Sequence, residues 1–154
     1  MIEIRNKKVV AKINPYGAEL NELSKVDRKN VLWAKDERFW NRVAPNLFPI
    51  VGRLKEDQFC YEGQIYSMCQ HGFARNRTFE LIEKSYFKVV FRLKSDEISK
   101  KEYPFDFIFE VEYQLIESIL LVKYRVKNRG EVNLPYSVGG HPGFAIEGNL
   151  SDYF

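Results

Sequence analysis

The sequence predicts an all-β fold, an antiparallel β-sandwich, and three observations point there. Apolar and polar residues alternate over several long stretches, which is the period of a half-buried strand. Turn-forming residues punctuate those stretches at short intervals. Only two segments invite a helical turn. The 154 residues, 45% of them hydrophobic, suffice for one core, so residues 1–154 are read as a single domain.

The elements follow in order. "KVVAKINPYGAELNEL", Lys8 to Leu23, reads as two strands around a turn at Asn14-Pro15-Tyr16-Gly17. "VLWA", Val31 to Ala34, adds a short apolar run, and "KDERFWN", Lys35 to Asn41, invites a helical turn. "FCYEGQIYSM", Phe59 to Met68, gives two short strands around Glu62-Gly63. "TFELIEKSYFKVVFRLK", Thr78 to Lys94, gives another pair that turns near Lys84-Ser85. "SDEISKKEY", Ser95 to Tyr103, holds the second helical turn, starting at Ser95. In "FIFEVEYQL", Phe107, Phe109, Val111, Tyr113 and Leu115 share one face. "ILLVKYRVKN", Ile119 to Asn128, alternates in the same way after Glu117-Ser118, and the two runs form a hairpin.

Composition narrows the function. The 24 basic and 21 acidic residues are interleaved, and the net charge is only +3. No basic stripe marks a nucleic-acid surface. No apolar run reaches the length of a membrane span, and the N-terminus lacks the apolar core of a signal peptide. A cytoplasmic protein is expected, with Cys60 and Cys69 as free thiols.

Two segments do not read as strands. "NRVAPNLFPIVGRLK", Asn41 to Lys55, contains Pro45 and Pro49, which cannot donate to a sheet ladder. "LPYSVGGHPGFAIEG", Leu134 to Gly148, has two prolines and four glycines. Loops of this kind carry sites. The chain has two histidines, and each stands among turn residues shortly before a phenylalanine: His71 in "QHGFAR" and His141 in "GGHPGF". His71 reads either as a loop histidine with local hydrogen bonds or as a donor to a sugar or an anion, helped by Arg75. His141 reads either as part of a glycine-rich turn or as an imidazole fixed for proton transfer, since Pro142 keeps it extended. Cys60, Cys69, His71 and His141 match no zinc spacing, so no metal is expected. No phosphate-binding loop, dinucleotide fingerprint or nucleophile elbow is present.

"NLFPIVGRLK", "HGFARN", "GGHPGF" and a closing "LSDYF", in that order, resemble the aldose 1-epimerase (galactose mutarotase-like) family, in its LacX-like and hexose-6-phosphate mutarotase-like branches. The resemblance implies an antiparallel supersandwich with a sugar site on an open face. It implies interconversion of the α and β anomers of an aldose or phosphosugar by acid/base ring opening, with no cofactor. Carried over by motif, His141 is the acid at the ring oxygen and His71 the second catalytic histidine. Arg53 in "VGRLK" is a substrate-binding arginine, and Arg75 helps to hold an anion. The partner is a small-molecule sugar, a hexose or hexose phosphate.

Members of that family are longer, and their catalytic base is a glutamate near the C-terminus, in a stretch this sequence does not contain. Glu147 and Asp152 are poor substitutes. The chain is therefore expected to be the N-terminal portion of such a sandwich, C-terminally truncated and incomplete as an enzyme. The alternative is a non-catalytic carbohydrate-binding module. Unpaired sheet edges would favour self-association.

Overall fold

The computed structural model describes residues 1–149 and residue 151. Alternating sequence becomes antiparallel sheet almost throughout. Strands β1 (Ile2–Arg5), β2 (Val9–Asn14) and β3 (Glu19–Lys25) form one sheet in that order. The two-residue strand β4 (Asn46–Leu47) lies inside the proline-containing segment. Strands β5 (Gln58–Tyr61) and β6 (Gln64–Ser67) make a hairpin across Glu62 and Gly63. Strands β7 (Glu80–Lys84) and β8 (Lys88–Lys94) precede the α-helix α1 (Glu97–Glu102). Strands β9 (Phe107–Ile116) and β10 (Ile119–Asn128) follow, and a second two-residue strand, β11 (Gly139–Gly140), pairs with β4. The main sheet runs β10-β9-β8-β7, each strand beside its neighbour in sequence. The architecture is all-β and antiparallel, as the alternation predicts.

One apolar cluster joins the N-terminal sheet to the main sheet. Val9, Ala11 and Ile13 of β2 meet it from one side; Phe107, Phe109, Val111, Tyr113 and Leu115 of β9 meet it from the other. Phe48, fully buried, stacks on Phe109 at 4.6 Å between ring centroids and tilts onto Phe107 at 5.0 Å. Burying a side chain of that size contributes roughly 1.5–3 kcal/mol. The proline-containing segment is thus anchored in the core at its centre, and its flanks are left to build the site.

Several local expectations change. Lys35–Asn41 is not helical. The Asp36 carboxylate accepts from the Arg38 amide at 3.0 Å, and the Asp36 carbonyl accepts from Trp40 at 2.8 Å, so the segment closes as a bridged turn. Helix α1 is capped by Asp96, one residue later than expected, because Asp96 and Ser99 form a reciprocal capping box. Ser95 instead bonds Asp106 at 2.9 Å. Strand β1 carries only two inward apolar residues, Ile2 and Ile4, too few for a pattern to announce it. On β9 the polar face is not free of burial: Glu112 is buried, bonded by Arg125 at 2.6 Å and Lys123 at 3.3 Å. Burial alone would raise its pKa, but those two cations outweigh it and hold the carboxyl below its usual value.

Candidate functional site

The site begins with a backbone that only particular residues tolerate. His71 has φ 67° and Gly72 φ 69°, two consecutive left-handed residues. A Cβ on Gly72 would lie 2.3 Å from the Phe48 carbonyl oxygen, so the tight turn passes directly over the anchored segment. Gly52 closes the turn from the other side. The His71 amide donates to the Gly52 carbonyl at 2.8 Å, and the Gly52 amide donates to His71 Nδ1 at 3.0 Å. Because Nδ1 accepts, the neutral imidazole carries its hydrogen on Nε2. His71 is half-buried. Its pKa is held below the usual imidazole range, first by burial, then by the positive charges of Arg75 and His141.

His141 arrives from the far end of the chain. The β4–β11 pair sets Gly139 against Leu47 and Gly140 against Asn46. A Cβ on Gly140 would lie 2.7 Å from the Tyr124 hydroxyl, so glycine here lets the strand lie close against that side chain of β10. The His141 amide then donates to the Pro45 carbonyl at 3.1 Å. The result is an imidazole pair: the rings of His71 and His141 have centroids 5.9 Å apart and meet edge to face. Asn46 fixes the floor beneath. It is buried, donates to the carbonyls of Gly17 at 3.0 Å and Ala18 at 2.8 Å, and accepts from Tyr124 at 2.9 Å.

The arginines lie beside this pair rather than between its rings. Arg53 and Arg75 line one open cavity of about 630 Å³ with Asp57, Cys69 and Gln70. Arg53 is held by Asp57 in a bidentate pair at 2.7 and 2.6 Å, which raises its pKa. Arg75 donates to the Gln70 carbonyl at 2.7 Å, while its buried Nε has no partner among the described residues. Burial, then the neighbouring charge of Arg42, lowers the Arg75 pKa. Glu147 lies on a different cavity and pairs with Lys29 at 3.9 Å. Asp152 lies outside the described residues. Cys60 and Cys69 are exposed free thiols.

Two neighbours of the site were not singled out in the sequence. Trp40 packs against His141, with ring centroids 5.1 Å apart. Asp57 restrains Arg53, and the only hint of it is the four-residue spacing between them.

Residues 1–153 match the family described as Aldose 1-epimerase. The chain belongs to the aldose 1-epimerase family. Protein LacX of Lactococcus lactis subsp. lactis is 31% identical over 149 residues, which cover 93% of this chain and 50% of LacX. Among solved structures, a galactose mutarotase related enzyme from Lactobacillus acidophilus is 37% identical, with a TM-score of 0.94, and the match covers 97% of this chain and 50% of that one. A galactose mutarotase-like protein from Lactobacillus casei gives 37% identity and a TM-score of 0.92, covering 98% of this chain and 52% of that one. The aldose epimerase chain described here thus spans about half the length of these relatives.

Proposed function

We propose that this chain is the histidine-bearing, N-terminal portion of an aldose 1-epimerase acting on a hexose or hexose phosphate. One observation carries the reading. Two histidines far apart in sequence, the only two in the chain, are brought to 5.9 Å by segments that both pack on the proline-containing stretch. In this reading His141 gives its proton to the sugar ring oxygen. A carboxylate takes the proton from the C1 hydroxyl, the bond between C1 and the ring oxygen breaks, and a C1 aldehyde forms. Rotation about the bond from C1 to C2 and closure on the other face, with both protons returned, give the other anomer. His71, held neutral with hydrogen on Nε2, donates a hydrogen bond to the sugar. Arg53 binds sugar hydroxyls.

The charges acting on His71 are both positive, from Arg75 and His141. Arg75, with an unpartnered Nε, is the group we assign to a phosphate, in a cavity that Arg53, Glu56, Asp57 and Glu102 also line. We assign the base to neither Asp57, which Arg53 holds, nor Glu147, which Lys29 engages on another cavity. We place the base in the half of the relatives that this chain does not span.

The same lack of a facing carboxylate favours a second reading, a carbohydrate-binding module without turnover. Polarimetry of freshly dissolved α-glucose, α-galactose and α-glucose 6-phosphate separates the two. Acceleration that disappears in His141→Ala supports the enzyme. Titration heat without acceleration supports the module, and neither signal with any of the three sugars removes both. Among the described residues no strand pairs the outer edge of β10, and we infer association through that edge. Size exclusion would show a species heavier than the 18.2 kDa chain; a monodisperse monomer would refute it.

A further inference from the structure

The loop from Trp33 to Trp40 has no part in the reaction just described, yet it is built around His141. Its two ends are locked together. The Trp33 indole N–H donates to the Trp40 carbonyl at 3.1 Å, and the Trp40 amide donates to Asp36 at 2.8 Å. The loop is then bolted to the histidine segment. Trp33 donates to the Gly143 carbonyl at 2.9 Å, and Gly143 donates to Val43 at 2.8 Å. A Cβ on Gly143 would lie 2.7 Å from Trp40 Cζ3 and 3.0 Å from Trp33 Cβ, so a hydrogen at this position is what lets the loop seat.

The His141 side chain itself is exposed, and among the described residues no hydrogen bond reaches its ring. What restrains the imidazole is ring packing. Trp40 contacts it at 5.1 Å with the planes 51° apart, and His71 contacts it at 5.9 Å. Both separations fall where aromatic rings attract each other. The His71 ring is held by Gly52, and the Trp40 backbone is held by the clasped loop, so the imidazole packs against two rings carried on restrained backbone.

We propose that Trp40 is the positioning residue for His141: its indole selects the rotamer that aims the imidazole into the site. The catalytic meaning of that rotamer rests on the reading of His141 as proton donor, but the positioning itself does not. The chain has two histidines, so its imidazole Cε1–H spectrum contains two signals, and His141→Gln assigns them. In Trp40→Leu the His141 signal is expected to move as the indole ring current is lost, while the His71 signal stays. Carbethoxylation of His141 by diethyl pyrocarbonate should become several-fold faster. Trp40→Phe, which keeps a ring, should restore most of both properties. Should Trp40→Leu fail to fold by circular dichroism, Gly143→Ala displaces the indole without removing it and should move the same signal. An unchanged modification rate in folded Trp40→Leu or Gly143→Ala would overturn the proposal, whether or not the signal moves through the lost ring current. If polarimetry gives no activity but carbethoxylation of His141 speeds up in Trp40→Leu and slows again in Trp40→Phe, the proposed reaction fails and the positioning role stands.

Discussion

Replacing Gly72 by alanine tests the backbone under His71 most directly. Two costs add. The left-handed conformation at φ +69° costs an L-residue roughly 1–2 kcal/mol. The new methyl would also sit 2.3 Å from the Phe48 carbonyl oxygen and 2.6 Å from its carbon. Those are main-chain atoms of a residue buried at the centre of the core, so no flexible side chain can yield. Forcing the turn away adds on the order of 1–3 kcal/mol, as overpacking does elsewhere. The expected loss is therefore about 2–5 kcal/mol, or roughly 5–15 °C in melting temperature for a domain of this size. Gly63 supplies the control, because it has φ +79° and open space around its Cβ position. Gly63→Ala should pay only the conformational cost, on the order of 1 kcal/mol. Urea denaturation of both variants measures the difference. Equal losses at the two positions would refute the idea that contact with Phe48, rather than the turn alone, makes Gly72 obligatory.

Two further expectations concern the same region. Asn46→Ala removes the donors to Gly17 and Ala18 and the acceptor for Tyr124, and should cost roughly 3–4 kcal/mol in urea denaturation; a loss below about 1 kcal/mol would mean those groups find other partners. His71 makes stability depend on pH. The unfolded imidazole takes a proton near pH 6.5, whereas the folded one does so only at lower pH, so the unfolded state binds more protons in that window. Stability should fall as the pH drops below about 6.5 and recover above it, and His71→Gln should flatten that part of the curve. A wild-type curve that rises on acidification through this range would show that burial and the two cations do not govern this group.

The main sheet was legible because β9 and β10 alternate over ten residues each and β8 is largely apolar, with β9 burying one face and β10 half-burying one. Phe107 to Leu115 could hardly be read otherwise, and the turns at Asn14–Gly17, Glu62-Gly63 and Glu117-Ser118 all stand where the chain reverses. What the pattern hid was short or set by partners. Strands β4 and β11 are two residues long and made of residues poor in strand propensity; they exist because Asn46 and Gly140 are trapped between the N-terminal sheet and Tyr124. The turn at Asp36 looks helical in sequence because its acidic and basic residues suit a first turn, yet the Asp36 side chain bonds backbone two residues on. The histidines could be suspected from their settings. Their meeting, and the clasp of Trp33 and Trp40 beside His141, depend on contacts between segments that no local pattern encodes.

The β4–β11 pairing also orders events in time. Strands β7 to β10 each pair with the next along the chain, so the main sheet can assemble through short closures. Joining Leu47 to Gly139 instead closes a loop that contains the whole of that sheet. The site is therefore expected to form last and to open first, ahead of the sheet that carries it. Native-state hydrogen exchange would register this as early exchange of the His141 and Gly143 amides while those of β8 and β9 remain protected.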